Sequence, residues 1–458
     1  MMSKPPSSFA KTELRPITAK LARANAVVAR EYPGEPIERQ PVHTFYGGAH
    51  LFKADTAPRL GELALAALDE YAPTGAVWCD AIGLGDAAVA DSLRARIVDK
   101  LRREPVEDYR IDFEDGYGNR PHGEEDSHAE AAAEQVALAL TSATLPQAIG
   151  IRIKPLSPEQ HPRSLRTLDI FVTALTRRLR KRLPPNFAVT IPKVMTPAHV
   201  QAVAAACTML ERRLGLRAKA IRLEIMIETP QSILAPDGTS VLRALVAAGS
   251  GRVRAAHFGT YDYTALCGIT ASWQHMRHSA CDFARHMMQV ALAQSGVQLS
   301  DGGTNVLPVP VHRLEGHRTL TEVEQRENRA AVHRAWKIHF DDISHSLMNG
   351  YYQGWDLHPA QLPTRYAAVY AFFQSARPEA TLRLRTFVEK AARATLVGDV
   401  FDDAATGQGL LNFFVRGLSS GALTEDEAAE TGLTPEELRS RSFLAILQGR
   451  SAGRQAGR

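Results

Sequence analysis

The sequence predicts an α/β protein built on a (β/α)8 TIM-type barrel, with an N-terminal arm and a helical C-terminal extension. Three observations lead to this prediction. Short β-prone runs alternate with longer helical patterns, eight such runs can be counted, and no glycine-rich nucleotide-binding turn follows the first run. Strand–helix alternation with crossovers of this length is typical of a parallel sheet, and eight units favour a closed barrel over an open sheet.

The eight predicted strands come in chain order, each followed by a helical pattern or a long connection. The strands are Val42–Tyr46, Tyr109–Phe113, Ala148–Ile153, Phe187–Val194, Ile221–Ile227, Val253–Phe258, Val297–Leu299 and Tyr351–Leu357. The helical patterns are Arg59–Tyr71, Glu130–Leu140, Leu165–Lys181, Ala198–Leu214, Leu242–Ala248, Asp282–Ala293 and Val323–Met348. Two connections, 72–106 and 308–349, are longer than simple barrel loops, and we interpret the charge-rich helix of the second as a lid or an oligomer contact.

We divide the chain into an N-terminal arm (1–40), a catalytic barrel (41–365) and a helical extension (366–458) with a disordered basic tail. The arm is polar and contains scattered prolines, with a short helical run near Ala19–Arg30. In the extension, Thr434-Pro435-Glu436-Glu437 is a helix start, because it combines a capping Thr, a Pro at the first helical position and a Glu three residues on.

Composition narrows the class of protein. Hydrophobic residues make up 45% of the chain and charged residues 23%, which is typical of a soluble globular protein. The 54 basic and 50 acidic side chains nearly balance, so we expect no nucleic-acid partner. The four scattered cysteines form no CxxC pair, which argues against a disulfide framework or structural zinc and fits the cytoplasm. We also expect no membrane partner, because no apolar run reaches the length of a membrane span.

The segment from Ile221 to Pro230 carries the clearest functional signal. Its residues alternate with period two, and its polar face ends in a carboxylate at the C-terminal tip of the run. In a parallel barrel, catalytic residues lie at the C-terminal ends of the strands. An antiparallel strand with one solvent-exposed face explains this segment equally well. The aliphatic face comprises Ile221, Leu223, Ile225 and Ile227, and the polar face comprises Arg222, Glu224, Met226 and Glu228.

Charged side chains also end other predicted strands. Glu228 and Asp262, at adjacent strand ends, form a hard all-oxygen site that suits Mg²⁺ (or Mn²⁺) with water and substrate. Arg152 provides a two-pronged donor for a developing anion, and Asp112 and Glu114 share a strand face from which they support the metal's waters and Arg152. A metal and a cation that face one oxygen suit an enolate.

Each residue also has a structural explanation. An Asp-x-Glu pair commonly caps a helix, and an arginine in a strand is commonly paired. In the structural interpretation, Lys193 closes the barrel rim and His358 is a structural hydrogen-bonding residue. His257 is not a predicted ligand, because its odd separation from Asp262 places it on the opposite strand face. The occurrence of these acids together with Arg152, in order at successive strand ends, favours a catalytic site over the separate structural explanations.

The ordered set resembles the citrate lyase β-subunit-like branch of the HpcH/HpaI aldolase family, which shares a phosphoenolpyruvate/pyruvate-type (β/α)8 barrel with malate synthase. The resemblance spans roughly residues 42–361. Within it, the Gly-x-x-Asp-Tyr form at Asp262 is closer to malate synthase, and the Asp-x-Glu-Asp-Gly form is closer to the lyases. The matching elements are Asp112-Phe113-Glu114-Asp115, Ile151-Arg152-Ile153, Pro192-Lys193-Val194, Ile227-Glu228-Thr229, Gly259-Thr260-Tyr261-Asp262 and His358-Pro359-Ala360-Gln361.

The resemblance implies a Mg²⁺-dependent carbon–carbon lyase or aldolase, acting through the enolate of a 2-oxo acid or a carboxylic (thio)ester. It also implies a homo-oligomer. Alternatives are a malate synthase-like acyltransferase that condenses a CoA thioester with glyoxylate, a phosphoenolpyruvate-related enzyme, and a non-catalytic relic. The implied roles are metal binding by Glu228 and Asp262, catalysis by Arg152 with Glu114 and Asp112, and substrate contact by Arg152, Gly259 and Thr260.

The sequence departs from the family in two respects. Pyruvate aldolases of this group place a catalytic His after the second strand, where this chain has Asp115-Gly116-Tyr117, and His122 follows only later. The CoA-ester lyases recruit a late acidic residue, for which Asp341, Asp342 and Asp356 are the candidates. The general base is therefore not assigned by the resemblance.

Overall fold

The computed structural model describes residues 8–36, 38–85, 87–313, 319–389, 395–397, 400–402 and 404–456, with side chains left undescribed at 87–89, 395–397, 400–402, 404–405 and 451–456. Its centre is a parallel barrel whose strands coincide with all eight predicted runs. The barrel strands are β1 (His43–Gly48), β2 (Asp108–Asp112), β3 (Ala148–Arg152), β4 (Phe187–Ile191), β5 (Arg222–Ile227), β6 (Val253–Phe258), β7 (Gln298–Ser300) and β8 (Gly354–Asp356).

Neighbouring strands pair in parallel and in chain order from β1 to β7, and β8 pairs with β1. The ring closes beside β7 and β8, where the Asp301 N–H donates to the Gln353 carbonyl (2.8 Å) and the Trp355 N–H donates to the Gly302 carbonyl (3.0 Å). The predicted (β/α)8 barrel is therefore confirmed. The bounds of β6 are as predicted, and those of the other strands shift by one to three residues. The largest shift at a carboxyl end is in β4, which ends at Ile191, ahead of Pro192 and the left-handed backbone of Lys193 (φ +48°).

Helices cover the outside of the barrel and form the C-terminal extension. Every predicted helical pattern overlaps an observed helix. In chain order the helices are α1 (Lys11–Glu31), α2 (Thr56–Tyr71), α3 (Gly75–Ile82), α4 (Ala87–Arg103), α5 (His122–Thr141), α6 (His161–Arg178), α7 (Pro197–Leu214), α8 (Leu242–Ala248), α9 (Thr260–Leu266), α10 (Ser279–Leu292), α11 (Glu322–Met348), α12 (Leu362–Glu389), α13 (Ala404–Ser420), α14 (Glu425–Ala429), α15 (Pro435–Ser440) and α16 (Phe443–Ala456). A small antiparallel pair, β9 (Thr395–Val397) and β10 (Val400–Asp402), lies between α12 and α13.

The long connections are built from packed helices. The first contains α3 and α4, and the second contains α11, which packs against α12 and α3. Val332, Trp336 and Ile343 of α11 are buried, so this helix belongs to the outer layer of the barrel. A role for it as a lid or an oligomer contact remains a prediction.

The two faces of the strands pack in different ways. The aliphatic face of β5, like its counterparts on neighbouring strands, is buried against the outer helices. The polar face points into the barrel, where Glu224 accepts hydrogen bonds from Arg110 of β2 (2.7 Å) and Arg254 of β6 (2.9 Å). Arg110 also binds Asp108 (2.7 Å). Branched aliphatic side chains usually fill such barrels, whereas an ionic layer fills this one.

The ionic layer is held by charge complementarity. Burial opposes ionisation of Glu224, but the charges of Arg110 and Arg254 outweigh it and hold the pKa of Glu224 well below its usual range. Thr190 adds a hydroxyl donor to Glu224 at 2.9 Å. Removing any one ion from such a layer would leave its partners buried and uncompensated, which is costly.

The terminal segments differ in how much they bury. Helix α1 contains no buried residue. The extension packs on the barrel helices, with Arg96 of α4 bound to Glu427 of α14 at 2.7 Å, and Thr434 caps α15 as predicted. The predicted disordered tail begins within α16, which runs to Ala456, while residues 457–458 lie outside the described part. Among the helices described, none has the length and apolarity needed to cross a membrane.

Candidate active site

The predicted site residues meet at the rim formed by the carboxyl ends of the strands. Asp112 is the last residue of β2, Arg152 is the last of β3, and Glu228 directly follows β5. Asp262 was predicted at the end of a strand, but it lies in the first turn of α9, because β6 ends at Phe258. The parity argument that separated His257 from Asp262 is therefore wrong, although His257 does lie elsewhere, in the ionic layer 3.6 Å from Glu224.

Asp112 holds Arg152 in a two-pronged ion pair. One carboxylate oxygen accepts from Nε of Arg152 at 2.7 Å and the other from a terminal nitrogen at 2.6 Å. The same carboxylate accepts the backbone N–H groups of Glu114 and Gly116, so it also shapes the turn after β2. Burial opposes ionisation of Asp112, but the charge and hydrogen bonds of Arg152 hold its pKa below the usual value. Asp112 is thus both a turn cap and an orienting partner for Arg152.

Aromatic rings and a thioether surround the guanidinium of Arg152. Its carbon lies 4.8 Å from the ring centroid of Tyr46 and 6.0 Å from that of Trp355. The sulfur of Met226 lies 3.9 Å from Nη1. Arg152 is 5% exposed and stays protonated, since burial is outweighed by Asp112 and Glu114 and its pKa is raised. A guanidinium has five N–H donors and Asp112 takes two, so donors remain for an anion.

Glu114 does not share a strand face with Asp112, as was predicted, because it lies in the turn beyond β2. One of its oxygens accepts from Nζ of Lys193, and the other lies 3.0 Å from Nη1 of Arg152. That second oxygen is buried and accepts no hydrogen bond from the described residues. Burial raises the pKa of Glu114, against the opposing charges of Arg152 and Lys193.

Lys193 connects three carboxylates at the rim. Besides Glu114, its ammonium lies 3.2 Å from Asp262 and 3.4 Å from Asp115. Its backbone N–H donates to Oε1 of Glu228 at 2.6 Å. The left-handed backbone (φ +48°) is unusual for a residue with a side chain, and it turns the N–H of Lys193 toward Glu228. Lys193 therefore belongs to the acidic cluster and does more than close the rim.

Glu228 lies at the bottom of the cluster, 1% exposed. Burial, followed by repulsion from Asp262 and Glu114, raises the pKa of Glu228 to about 8. Gly259, at the end of β6, leaves space for this carboxylate, since a Cβ atom there would lie 2.4 Å from Oε2 of Glu228. A buried carboxylate that faces two others is a group that a cation would stabilise.

Besides Arg152, Gly259 and Thr260 were predicted to contact substrate, and the structure does not test these contacts. Gly259 contacts Glu228, as described above. Thr260 is buried, and its hydroxyl points to the sulfur of Met276 at 2.9 Å. Substrate contact through Thr260 would have to use its backbone, and it remains a prediction.

The remaining candidates lie in structural contacts. His358 accepts the N–H of Ala360 at 3.2 Å, which confirms its reading as a structural hydrogen-bonding residue. Asp356 is buried between His43, His339 and Arg365, and Asp342 binds Thr304. Asp341 pairs with Lys337 on α11, and His122 begins α5 exposed to solvent.

The donor set fits a divalent cation of the hard type. Glu228 and Asp262 offer carboxylate oxygens, and Mg²⁺ in proteins is commonly held by one or two carboxylates together with water and substrate. In the described part of the chain, His, Cys, Asp and Glu side chains nowhere gather in threes as a ready metal cage. Two protein ligands with open positions for a substrate are thus the arrangement that these residues can provide.

Sequence reasoning missed the aromatic wall around Arg152 and the cluster role of Lys193. Tyr46 and Trp355 belong to β1 and β8, which flank the closure of the barrel and lie far apart in the chain. The partners of Glu224 inside the barrel could have been predicted from the sequence. Polar residues alternate in β2, at Asp108, Arg110 and Asp112, as the polar residues of β5 do. Lys193 carried only the weak signal of a cation next to Pro192.

One family model matches the chain. A family model described as a domain of unknown function, DUF6986, matches residues 21–446. No curated protein matches the chain.

Solved structures match across most of the chain. A citrate lyase from Burkholderia xenovorans LB400 is 18% identical with a TM-score of 0.54, covering 76% of this chain and 94% of its own. A Haloferax volcanii malate synthase, titled as a magnesium/glyoxylate complex, is 14% identical with a TM-score of 0.46, covering 89% and 96%. An HpcH/HpaI aldolase/citrate lyase family protein from Burkholderia cenocepacia J2315 is 13% identical with a TM-score of 0.37, covering 79% and 99%. The citrate lyase match confirms the fold that the sequence motifs implied.

Proposed function

The chain belongs to the DUF6986 family, and from its rim site we propose that it is a Mg²⁺-dependent carbon–carbon lyase or aldolase. Its substrate would be a 2-oxo acid or a carboxylic (thio)ester that reacts through an enolate. One observation carries the proposal: the buried guanidinium of Arg152, locked by Asp112, lies beside the Glu114–Lys193 pair that reaches Glu228 and Asp262.

The reaction requires a site that stabilises negative charge on a carbonyl oxygen. A base takes the proton of the substrate's hydroxyl group, and the carbon that carries this group leaves as a carbonyl compound when the carbon–carbon bond breaks. The electron pair of that bond moves into the enolate, and a proton then returns to the enolate carbon. The permanently charged Arg152 places N–H donors where that oxygen charge develops, and its burial strengthens the attraction. Since Asp112 fixes the plane of the guanidinium, little reorganisation is needed during the reaction.

Glu228 and Asp262 would hold Mg²⁺, which supplies Lewis-acid polarisation of the carbonyl and carboxylate oxygens of the substrate. The oxygen of Glu114 that accepts no hydrogen bond from the described residues is free to accept one from water or substrate. Tyr46 and Trp355 lie 4.8 and 6.0 Å from the guanidinium carbon of Arg152 and cover part of its surface. Lys193 balances the charge of the acids around it.

The first test is binding of oxalate, an enolpyruvate mimic, by calorimetry with and without Mg²⁺. The wild type should bind oxalate in a Mg²⁺-dependent manner, and Glu228→Gln and Asp262→Asn should each abolish that binding. Glu62→Gln is the matched control, because Glu62 is an exposed acid on α2, away from the rim. Failure of the wild type to bind oxalate with any divalent metal would overturn the lyase proposal and favour a relic or a phosphate-based function.

A malate synthase-like acyltransferase is the second candidate, favoured by the form Gly259-x-x-Asp262-Tyr263. It would use the same rim to stabilise the enolate of a CoA thioester that attacks glyoxylate, followed by hydrolysis of the thioester. Assays with 2-oxo acids and CoA esters separate the two candidates. Product formation that requires both acetyl-CoA and glyoxylate would assign the acyltransferase, and cleavage of a single 2-oxo acid or thioester would assign the lyase.

A further inference from the structure

A cavity of about 580 Å³ opens at the N-terminal mouth of the barrel, opposite the rim that carries the acids and Arg152. Its floor is formed by residues at the beginnings of the strands, including Asp108, Phe187 and Arg222. Its sides are formed by the loops that lead from α6 into β4 and from α7 into β5. The volume falls in the range of small-molecule sites.

Five cations line this mouth: Lys181, Arg182, Arg217, Lys219 and Arg222. All five are exposed, and in the part of the chain that the structure describes their side chains form no ion pair. The neighbouring arginines contrast with them, since Arg254 binds Glu224 and Arg39 binds Glu104. Exposed lysines and arginines usually scatter over a surface, so their convergence on one cavity concentrates positive potential there.

The acids of the cavity do not cancel this charge. Asp108 and Glu224 are both bound to Arg110 in the ionic layer, which leaves Glu38 as the remaining lining carboxylate. Lys181 (φ +63°) and Lys219 (φ +62°) have left-handed backbone, a conformation that a residue with a side chain rarely adopts. Lysine therefore occupies two positions at which glycine would be less strained.

We propose that the N-terminal mouth binds a small polyanion that carries a di- or triphosphate group. A single carboxylate needs one or two cations, whereas five converging cations match the multiple charges of a phosphate chain. Arginine forks complement phosphate oxygens, and three of the five cations are arginines, namely Arg182, Arg217 and Arg222. Arg222 begins β5 and Glu228 follows its end, so this site and the rim occupy opposite ends of one strand. The proposal does not depend on the rim's function.

The test uses inorganic triphosphate as the probe and calorimetry of the full chain at about 150 mM salt, where contacts between exposed charges are strongly screened. The wild type should bind one triphosphate per chain, and Arg217→Gln combined with Arg222→Gln should weaken the affinity at least about tenfold. The matched control combines Arg59→Gln with Arg212→Gln, which removes the same charge from exposed positions on α2 and α7 outside the cavity. The control should bind like the wild type.

Absence of saturable binding, or an equal loss of affinity in both double variants, would overturn the proposal, because either result means only diffuse attraction. A variant that combines Lys181→Gln with Lys219→Gln repeats the test should the arginine variant fail to fold. A nucleoside triphosphate serves as a further probe. An affinity equal to that of inorganic triphosphate would assign recognition to the phosphate chain, and a higher affinity would add a nucleoside contact to the same site. A nucleoside triphosphate that fails to compete with inorganic triphosphate would contradict a site of this size.

Discussion

A Cβ atom at Gly259 would lie 2.4 Å from Oε2 and 2.5 Å from Cβ of Glu228. The backbone of Gly259 has φ −112°, which any residue can adopt, so conformational freedom does not explain the glycine. Its missing side chain provides the space in which the buried carboxylate of Glu228 rests. The residue that follows β6 and the residue that follows β5 therefore constrain each other.

Gly259→Ala should displace Glu228 and weaken Mg²⁺-dependent oxalate binding by about tenfold or more, since a shift of about 1 Å in a positioned group is enough for a large loss. Calorimetry measures the effect. Gly123→Ala is the control, because a Cβ at Gly123 meets no atom within 4 Å. Unchanged binding in Gly259→Ala would mean that Glu228 has room to move without cost.

Glu228→Gln should stabilise the metal-free protein while it removes metal binding. The pKa of Glu228, raised to about 8 chiefly by burial, means that its charged form is unfavourable in the folded state. Removing that penalty is expected to add on the order of 1–3 kcal/mol to the free energy of unfolding, since each pKa unit corresponds to about 1.4 kcal/mol. Chemical denaturation in EDTA measures it. A destabilised variant would show that Glu228 is held by contacts that outweigh its burial.

Arg152→Lys should weaken oxalate binding about 10- to 100-fold although the charge is kept. An ammonium cannot reproduce the two-pronged contact with Asp112 at 2.7 and 2.6 Å or the planar donors that face the rim. Arg166→Lys is the control, because Arg166 makes a similar fork with Asp126 on an exposed surface. Equal oxalate binding by the wild type and Arg152→Lys would mean that only the positive charge of Arg152 contributes to binding, and not the geometry of its donors.

Lys193→Ala should tighten Mg²⁺ binding in the absence of substrate, by roughly fivefold. The ammonium contacts Asp262 at 3.2 Å and bonds to Glu114, so it competes with an added cation for the same carboxylates. Alanine keeps the Cβ, and the left-handed backbone is therefore equally strained in both proteins. Calorimetry with MgCl2 measures the affinity, with the exposed Lys53→Ala as the control. Weaker Mg²⁺ binding would instead mean that Lys193 organises the ligands.

Glu224→Gln should destabilise the fold by about 3–5 kcal/mol, because it leaves the buried Arg110 and the part-buried Arg254 without their common anion. The pKa of Glu224 is lowered in the folded protein, so its contribution is present above the unfolded value of about 4.5 and is lost as pH falls toward the folded value. The difference in unfolding free energy between wild type and variant should therefore shrink at acidic pH. Urea unfolding at several pH values measures it, and a difference independent of pH would contradict the assigned ion pairs.

Much of the architecture could be predicted because it depends on local patterns. Every barrel strand was located from runs of β-prone residues, and the period-two alternation of β5 correctly divided its residues between the helical layer and the interior. Errors arose where a strand stops. Asp262 was placed at a strand end and Glu114 on the strand face of Asp112, but β6 and β2 end before them and the chain turns. Strand ends are decided by tertiary hydrogen bonds, for which alternation carries no signal.

The sequence identified most residues of the candidate site but not the contacts between them. Arg152 and Asp112 were both identified, but that they form a two-pronged pair depends on the register of β2 against β3, where the two residues are direct neighbours. The inclusion of Lys193 depends on a left-handed turn after Pro192. The metal and substrate roles remain predictions, because they concern groups beyond the chain itself.

The sequence by itself determined the order of the strands and placed Asp112, Arg152 and Glu228 at their carboxyl ends, since both follow from periodicity and position along the chain. Tertiary structure alone decided which of those residues touch. Closure of the barrel brings Tyr46 and Trp355 of β1 and β8 onto Arg152 of β3, and it brings Arg110 of β2 across the interior to Glu224 of β5. Such contacts join residues far apart in the chain, and they are selected by the geometry of the closed barrel and by the cost of leaving a buried charge without a partner.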